Sequence, residues 1–159
     1  MIFAIDPGNT ESAFVEYDET SKTLVSFGKI HNYKMLNMTR ELGHHQSAIE
    51  MVASYGMPVG KDVFETCVWS GRFIQVAVDA GHKVPELIYR KEVKMHLCGS
   101  MRAKDSNIRQ AILDLFDPSG GGKTPQVGTK KEPGPLFGVS KDVWAALGVA
   151  LTYAEKIKP

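Results

Sequence analysis

The sequence predicts an α/β protein, a mixed five-stranded sheet with helices on both faces. Three observations carry that expectation. Residues 2–30 read as three strands joined by short turns, an antiparallel meander. Short apolar runs at 47–53 and 86–89 then alternate with stretches of helical periodicity. A last apolar helix fills 141–156.

Taken in order, IFAID (2–6) is a buried strand that ends on a charge, and Pro7-Gly8-Asn9 breaks it. Residues 11–18 alternate, Ala13 and Val15 against Phe14 and Glu16. A third strand runs from about 23 to 30, and a short helix covers 34–42. SAIEMVA (47–53) is a fourth strand with Glu50 inside it. The strongest helix spans 61–80, with Val63, Cys67, Gly71, Ile74 and Val78 as its stripe and Gly81 as its stop. A fifth strand at 86–89 leads to a short helix at 91–97. Ile108, Ala111, Ile112, Leu115 and Phe116 mark a helix over about 103–116. Ser140 is the expected N-cap of the last helix, with Val143, Leu147, Ala150 and Ala154 facing inward. Between these two helices, 117–139 is rich in Gly and Pro and carries Lys123, Lys130 and Lys131; a flexible loop is expected. Residues 1–159 read as one domain.

At 159 residues, 43% hydrophobic, 23% charged and net +1, the composition is that of a soluble globular chain. The expected location is the cytoplasm. No apolar run approaches the roughly 20 residues that span a bilayer, and the first residues lack the pattern of a secretory signal. Cys67 and Cys98 fit no metal or redox spacing and read as reduced, buried thiols. Charge is uneven: −4 over residues 1–66 and +5 over 67–131. That is compatible with a carboxylate cluster beside a phosphate-binding face, and equally with a mixed surface.

Three carboxylates stand where solubility does not need them: Asp6 at a strand end, Glu50 inside an apolar strand, and Asp142 in the first turn of the last helix. A buried carboxylate is costly unless paired or bound to metal. Strand ends with a helix packed over them can gather such groups, and hard oxygen ligands favour Mg²⁺ or Mn²⁺. Two such ions about 3.5–4 Å apart promote phosphodiester cleavage. Each residue also has a structural reading: Asp6 as a turn cap, Glu50 as a paired edge charge, Asp142 as a helix-dipole residue. Lys94 follows the fifth strand, and Arg102 and Lys104 sit at a helix start, which suits a phosphate there. GGGKT lacks the first Gly of a phosphate loop, because that position is Asp117. His44-His45 read as loop residues, and Trp69 and Trp144 as core or interface.

These stretches resemble the RuvC-type Holliday junction resolvases in their phage and prophage form. FAIDPGNTESAFV is similar to the family's opening strand-turn-strand, which makes Asp6 a metal ligand. AIEMV is similar to its second acidic motif, at Glu50. KEVKMHLCGSMRAKDSNIRQAI resembles the stretch with two basic residues, at Lys94 and Lys104. KDVWAALGVALTYA resembles the final helix, whose first Asp falls on Asp142; the second acidic position of that pattern is Ala145, with Glu65 a conceivable substitute. The family's junction-centre aromatic falls on Ala53, and Tyr55 is the candidate for that role. The resemblance implies an RNase H-like fold, a homodimer, and Mg²⁺-dependent paired nicking of four-way and other branched DNA, with no nucleotide cofactor. Arg72, Arg102, Lys130 and Lys131, with Tyr55, are the expected DNA contacts. Rival readings are an RNase H-like nuclease acting on RNA, a branched-DNA-binding module that does not cut, and, from DPGNT, half of an actin-like ATPase.

Overall fold

A computed structural model describes residues 1–42 and 46–159. His44 and His45 therefore lie outside the described residues. The elements are β1 (Ile2–Asp6), β2 (Glu11–Asp18), β3 (Thr23–His31), α1 (Asn32–Glu41), β4 (Gln46–Met51), α2 (Lys61–Asp79), β5 (Glu86–Tyr89), α3 (Arg90–Cys98), α4 (Asp105–Asp114) and α5 (Val143–Lys156). The strands form one mixed sheet in the order β3-β2-β1-β4-β5. The first three are antiparallel neighbours, while β4 pairs parallel with β1 and β5 parallel with β4.

Because side chains alternate along a strand, each strand feeds two cores. Ile2, Ala4, Ala13, Val15, Ala48 and Ile88 face α3, α4 and α5. Phe3, Ile5, Phe14 and Ile49 face Met35 and Leu36 of α1 and Phe73 of α2. Central strands covered on both sides read as continuous apolar runs. This is why Phe14, which alternates with Val15, is buried along with it.

Helix α5 is enclosed for most of its circumference, with Val143 and every residue from Ala146 to Thr152 buried. The expected stripe of α2 is displaced. Ser70, Phe73 and Ala77 are buried, whereas Gly71 and Val78 face solvent. Phe73 takes the buried position because its ring fills more of the space over the sheet than Val78 and the side-chain-less Gly71 could. Ser140 does not cap α5. The N-cap is Asp142, after Lys141 in the left-handed region at φ +49°.

The 117–139 segment, expected to be flexible, folds on itself. Gly120 N–H donates to Pro125 O at 2.8 Å, Gly121 N–H to Glu132 O at 2.8 Å, and Leu136 N–H to Gln126 O at 2.8 Å. A Cβ on Gly134 would sit 2.3 Å from Pro125 O, so glycine lets the backbones close. Leu136 is fully buried and, with Val139, anchors the segment to the core under α5. Its glycines serve tight backbone packing.

Candidate active site

Strand parity builds the site. In β1 the residues facing α5 are Ile2, Ala4 and then Asp6; in β4 they are Ala48 and then Glu50; in β5 Ile88 leads to Arg90 just past the strand. These strands are parallel, with Ile5 opposite Ile49 and Glu50 opposite Ile88. Each apolar row thus ends in a charge at the same, carboxyl-terminal edge of the sheet. Open α/β sheets place ligands outside that edge. The row extends the other way too. Asp6 pairs with Ala13 of β2, and Ala13 with Lys29 of β3. Ala13 is too small to fill the space between Asp6 and Lys29.

The turn after Asp6 is tied down. Ser12 Oγ accepts the Gly8 N–H at 3.1 Å and donates to Asn32 Oδ1 at 2.6 Å, and Asn32 Nδ2 donates to Gly8 O at 2.8 Å. Ser12 and Asn32 are buried. A Cβ on Gly8 would lie 2.3 Å from Glu11 O, so only glycine closes this turn. Asp6 therefore leaves the strand in a fixed direction.

The Asp6 and Glu50 carboxyls lie close enough to interact directly, which favours the protonated form of Asp6. Burial first, then the charge and close approach of the Glu50 carboxyl, and then the Asp142 charge push Asp6 up to about 9; Arg90 pulls the other way. Glu50 is largely enclosed, with 12% of its side chain exposed. Asp142 lines the same open pocket as Asp6, together with Glu11 and Lys29. Its carboxylate caps no backbone N–H of α5. It binds Lys29 instead, Nζ to Oδ2 at 2.6 Å. That hydrogen bond, with the charges of Asp142, Glu11 and Asp6, holds the Lys29 ammonium above its usual range.

Among the described residues, no three His, Cys, Asp or Glu stand close enough together to hold a metal ion as the side chains lie. The donor chemistry of Asp6 and Glu50 nevertheless fits a hard divalent cation, since two carboxylates meet at one buried place with Arg90 as the nearby cation. Asp142 completes such a set only by exchanging Lys29 for the ion.

Arg90 is the cation on the far side. Its Nη2 binds Asp105 of α4, and its Nη1 lies 3.7 Å from Glu50 Oε1. Glu92 accepts the Tyr89 N–H at 2.8 Å and fixes the start of α3 beside it. A groove next to Asp142 is lined by Arg90, Asp105, Arg109, Trp144 and Ala145. Arg109 stacks 4.8 Å from the Trp144 ring centroid. Ala145 thus faces the site from the expected position but brings no ligand.

The other expected residues divide. Tyr55, at φ +49° and 63% exposed, lines a second pocket with Arg90, Lys91 and Lys94, and Lys91 Nζ lies 6.0 Å from its ring centroid. Lys104 is the exposed N-cap of α4, and Arg102 is exposed just before it. Lys130 and Lys131 are exposed on the folded 117–139 segment. Arg72 is not with the carboxylates. It stacks on Trp69, 4.1 Å from the centroid, and on Tyr33, over the α1–α2 side of the sheet. Glu65, on α2, pairs with Lys61 at 3.5 Å and is not among the residues that line the pocket of Asp6 and Asp142. Cys67 and Cys98 are free and half-buried. The sequence reading missed Lys29 and Arg90. Both follow an apolar residue two positions earlier, Phe27 and Ile88, the same signal that singled out Asp6.

No family model and no curated protein matches the chain. Solved structures do. The chain is similar to Thermus thermophilus RuvC with a TM-score of 0.67 and 16% identity, over 96% of this chain and 92% of that one. It is also similar to T. thermophilus RuvC in complex with a Holliday junction substrate, with a TM-score of 0.66 and 15% identity, over 96% and 91%. The fold is therefore the RuvC-type, RNase H-like fold: a five-stranded mixed sheet with helices on both faces.

Proposed function

We propose that this chain is a structure-selective endonuclease that cuts four-way and other branched DNA with the help of Mg²⁺ or Mn²⁺. The observation that carries the proposal is the Asp6–Glu50 carboxyl pair at the carboxyl ends of adjacent parallel strands, with Asp142 beside it. The RuvC-type fold supports the reading. Asp6, Glu50 and Asp142 would hold one or two divalent ions, which supply an activated water and relief of charge on the leaving oxygen. To receive them, Asp6 would have to be ionised and Lys29 would have to release Asp142. Glu50, nearly enclosed, sets the position of the pair. Lys94 and Lys104 would neutralise charge on the phosphate, and Arg102, Lys130, Lys131 and Tyr55 would contact the strands, making affinity fall steeply with salt. Paired nicks need two such sites, and we propose a homodimer.

The test uses the purified protein with Mn²⁺ and three substrates: a synthetic four-way junction, a plain duplex and an RNA–DNA hybrid. Paired nicks confined to the junction and lost by at least about 10³-fold in Glu50→Gln are expected, beyond the roughly 10–100-fold of losing a supporting group. Equal cutting of all three substrates would sink the proposal, and cutting of the hybrid alone would make it an RNA-directed enzyme. One observation favours a second reading, of binding without cleavage. Asp142 is held by Lys29 and Ala145 offers no carboxylate. Junction binding with no nicks at any metal concentration would establish that reading.

A further inference from the structure

Arg90 has a role that none of the carboxylates explains. Its guanidinium is divided between Glu50 and Asp105, but not satisfied by them. Nη2 is bound by Asp105, while Nη1 is buried, 3.7 Å from Glu50 Oε1, and has no hydrogen-bond acceptor. An arginine kept only as a structural tie would use its planar fork on one carboxylate in two parallel bonds. Here the fork opens on the groove it shares with Arg109, Lys141, Asp142 and Trp144. Three cations along a groove that Arg90 joins to Glu50 suit the backbone of a polyanion. Asp105 is the partner easiest to give up. Its side chain is 86% exposed, in the first turn of α4, whereas Glu50 is enclosed.

We propose that Arg90 is a catalytic residue that grips the phosphate to be cut, and that Asp105 occupies this grip in the free protein as a phosphate mimic. This rests on the nuclease reading above. A phosphodiester presents two non-bridging oxygens to the same planar fork, so it replaces Asp105 on Nη2, and the guanidinium freed from Asp105 turns Nη1 out of its buried position to take the second oxygen as the acceptor it lacks. The clamp lies directly beside Glu50, which places the gripped phosphate against the carboxylate pair. Asp105 thereby discriminates: a ligand must bring two anionic oxygens to displace it, and a neutral one does not.

The experiment is a double-mutant cycle on the full chain. Junction affinity is measured without divalent metal, and single-turnover cleavage with Mn²⁺, for wild type, Arg90→Met, Arg90→Lys, Asp105→Asn and the Arg90→Met/Asp105→Asn pair. Arg90→Met is expected to slow cleavage at saturating protein by about 10²-fold, as loss of one preorganised donor does. Arg90→Lys should restore part of that rate, since it keeps the charge and loses the fork. Asp105→Asn should tighten junction binding several-fold, and the gain should vanish in the Arg90→Met background. An undiminished gain there would mean that Asp105 acts only through general charge, and would overturn the proposal. So would an Arg90→Met enzyme that cuts within about threefold of wild type. If Arg90→Met does not fold, Arg90→Gln takes its place in the cycle under the same criterion. A wild type that binds junctions without cutting them defeats the nuclease reading, while the binding cycle still decides the clamp.

Discussion

The two faces of the sheet start alike and end differently. Towards α1 and α2 the rows stay carbon to the strand ends, Phe3 to Ile5 and on to Ile49, and close on Phe73, Met35 and Leu36. Towards α5 the rows begin as Ile2, Ala4, Ala48 and Ile88 and finish as Asp6, Glu50 and Arg90, with Lys29 in the same line on β3. One face is a fastening. The other is a fastening over its inner part and a charged rim at its outer end. The same alternation produces both, because two-residue periodicity sends a terminal Asp wherever the preceding Ile and Ala pointed. Charge collects on one face only, and there it meets the N-terminal end of α5, which contributes Asp142.

The comparison can be broken hardest on the carbon side. Phe73→Ala empties a fully buried site and should lower stability by about 3–5 kcal/mol in urea unfolding. Cleavage per folded molecule should not change. A change in rate without a loss of stability would mean that the two faces are not separate.

On the charged side, Asp6→Asn should stabilise the metal-free protein. The sign follows from proton binding. The unfolded chain releases the Asp6 proton near 3.8 and the folded chain holds it to about 9. Between these values the folded state carries the extra proton, so wild-type stability falls as pH rises through the window. Each pH unit is worth about 1.4 kcal/mol for a group in full isolation. With water at the rim screening part of it, the gain should be about 2 kcal/mol at pH 7 and nil at pH 3. Chemical denaturation at both values checks this. In the same window Mn²⁺ should raise the melting temperature of wild type more at pH 8 than at pH 6, since the ion displaces that proton.

A smaller effect concerns Lys29. Lys29→Met releases Asp142 and removes a resident cation from the pocket. Mn²⁺ should bind roughly 2–5-fold more tightly by calorimetry, the scale of an exposed pair of charges. Unaltered or weaker Mn²⁺ binding would show that Asp142 is not a ligand. The smallest effect is expected from Arg72→Ala. It removes a cation from two aromatic rings at the surface, should cost at most about 1 kcal/mol, and should leave junction affinity as it was. A drop in affinity would extend the DNA surface to the α1–α2 side.

The strands and helices were legible because burial imposes periodicity, and Asp6 and Glu50 stood out because they interrupt it. The stripe of α2 was misread, since a helix with apolar residues at many positions fits more than one stripe and only packing chooses. Phe73 settled it. Lys29 was hidden for a different reason. Its parity relative to Asp6 passes through β2, where a bulge at Glu16/Tyr17 shifts the register. Arg90 was passed over between the strand at 86–89 and the helix expected at 91–97, although it continues the row of Ile88.

By itself the sequence determined the order of elements, the two buried faces and the carboxylates at the ends of β1 and β4, because these follow from neighbours along the chain. Only the tertiary structure decided who meets whom. It bound Asp142 to Lys29 across 113 positions, set Arg90 between Glu50 and Asp105, sent Arg72 to the opposite face and folded 117–139 into a packed segment. The physical reason is range. Burial period is local, whereas a charge finds its partner through strand register and helix docking, and neither is written within any one stretch of the chain.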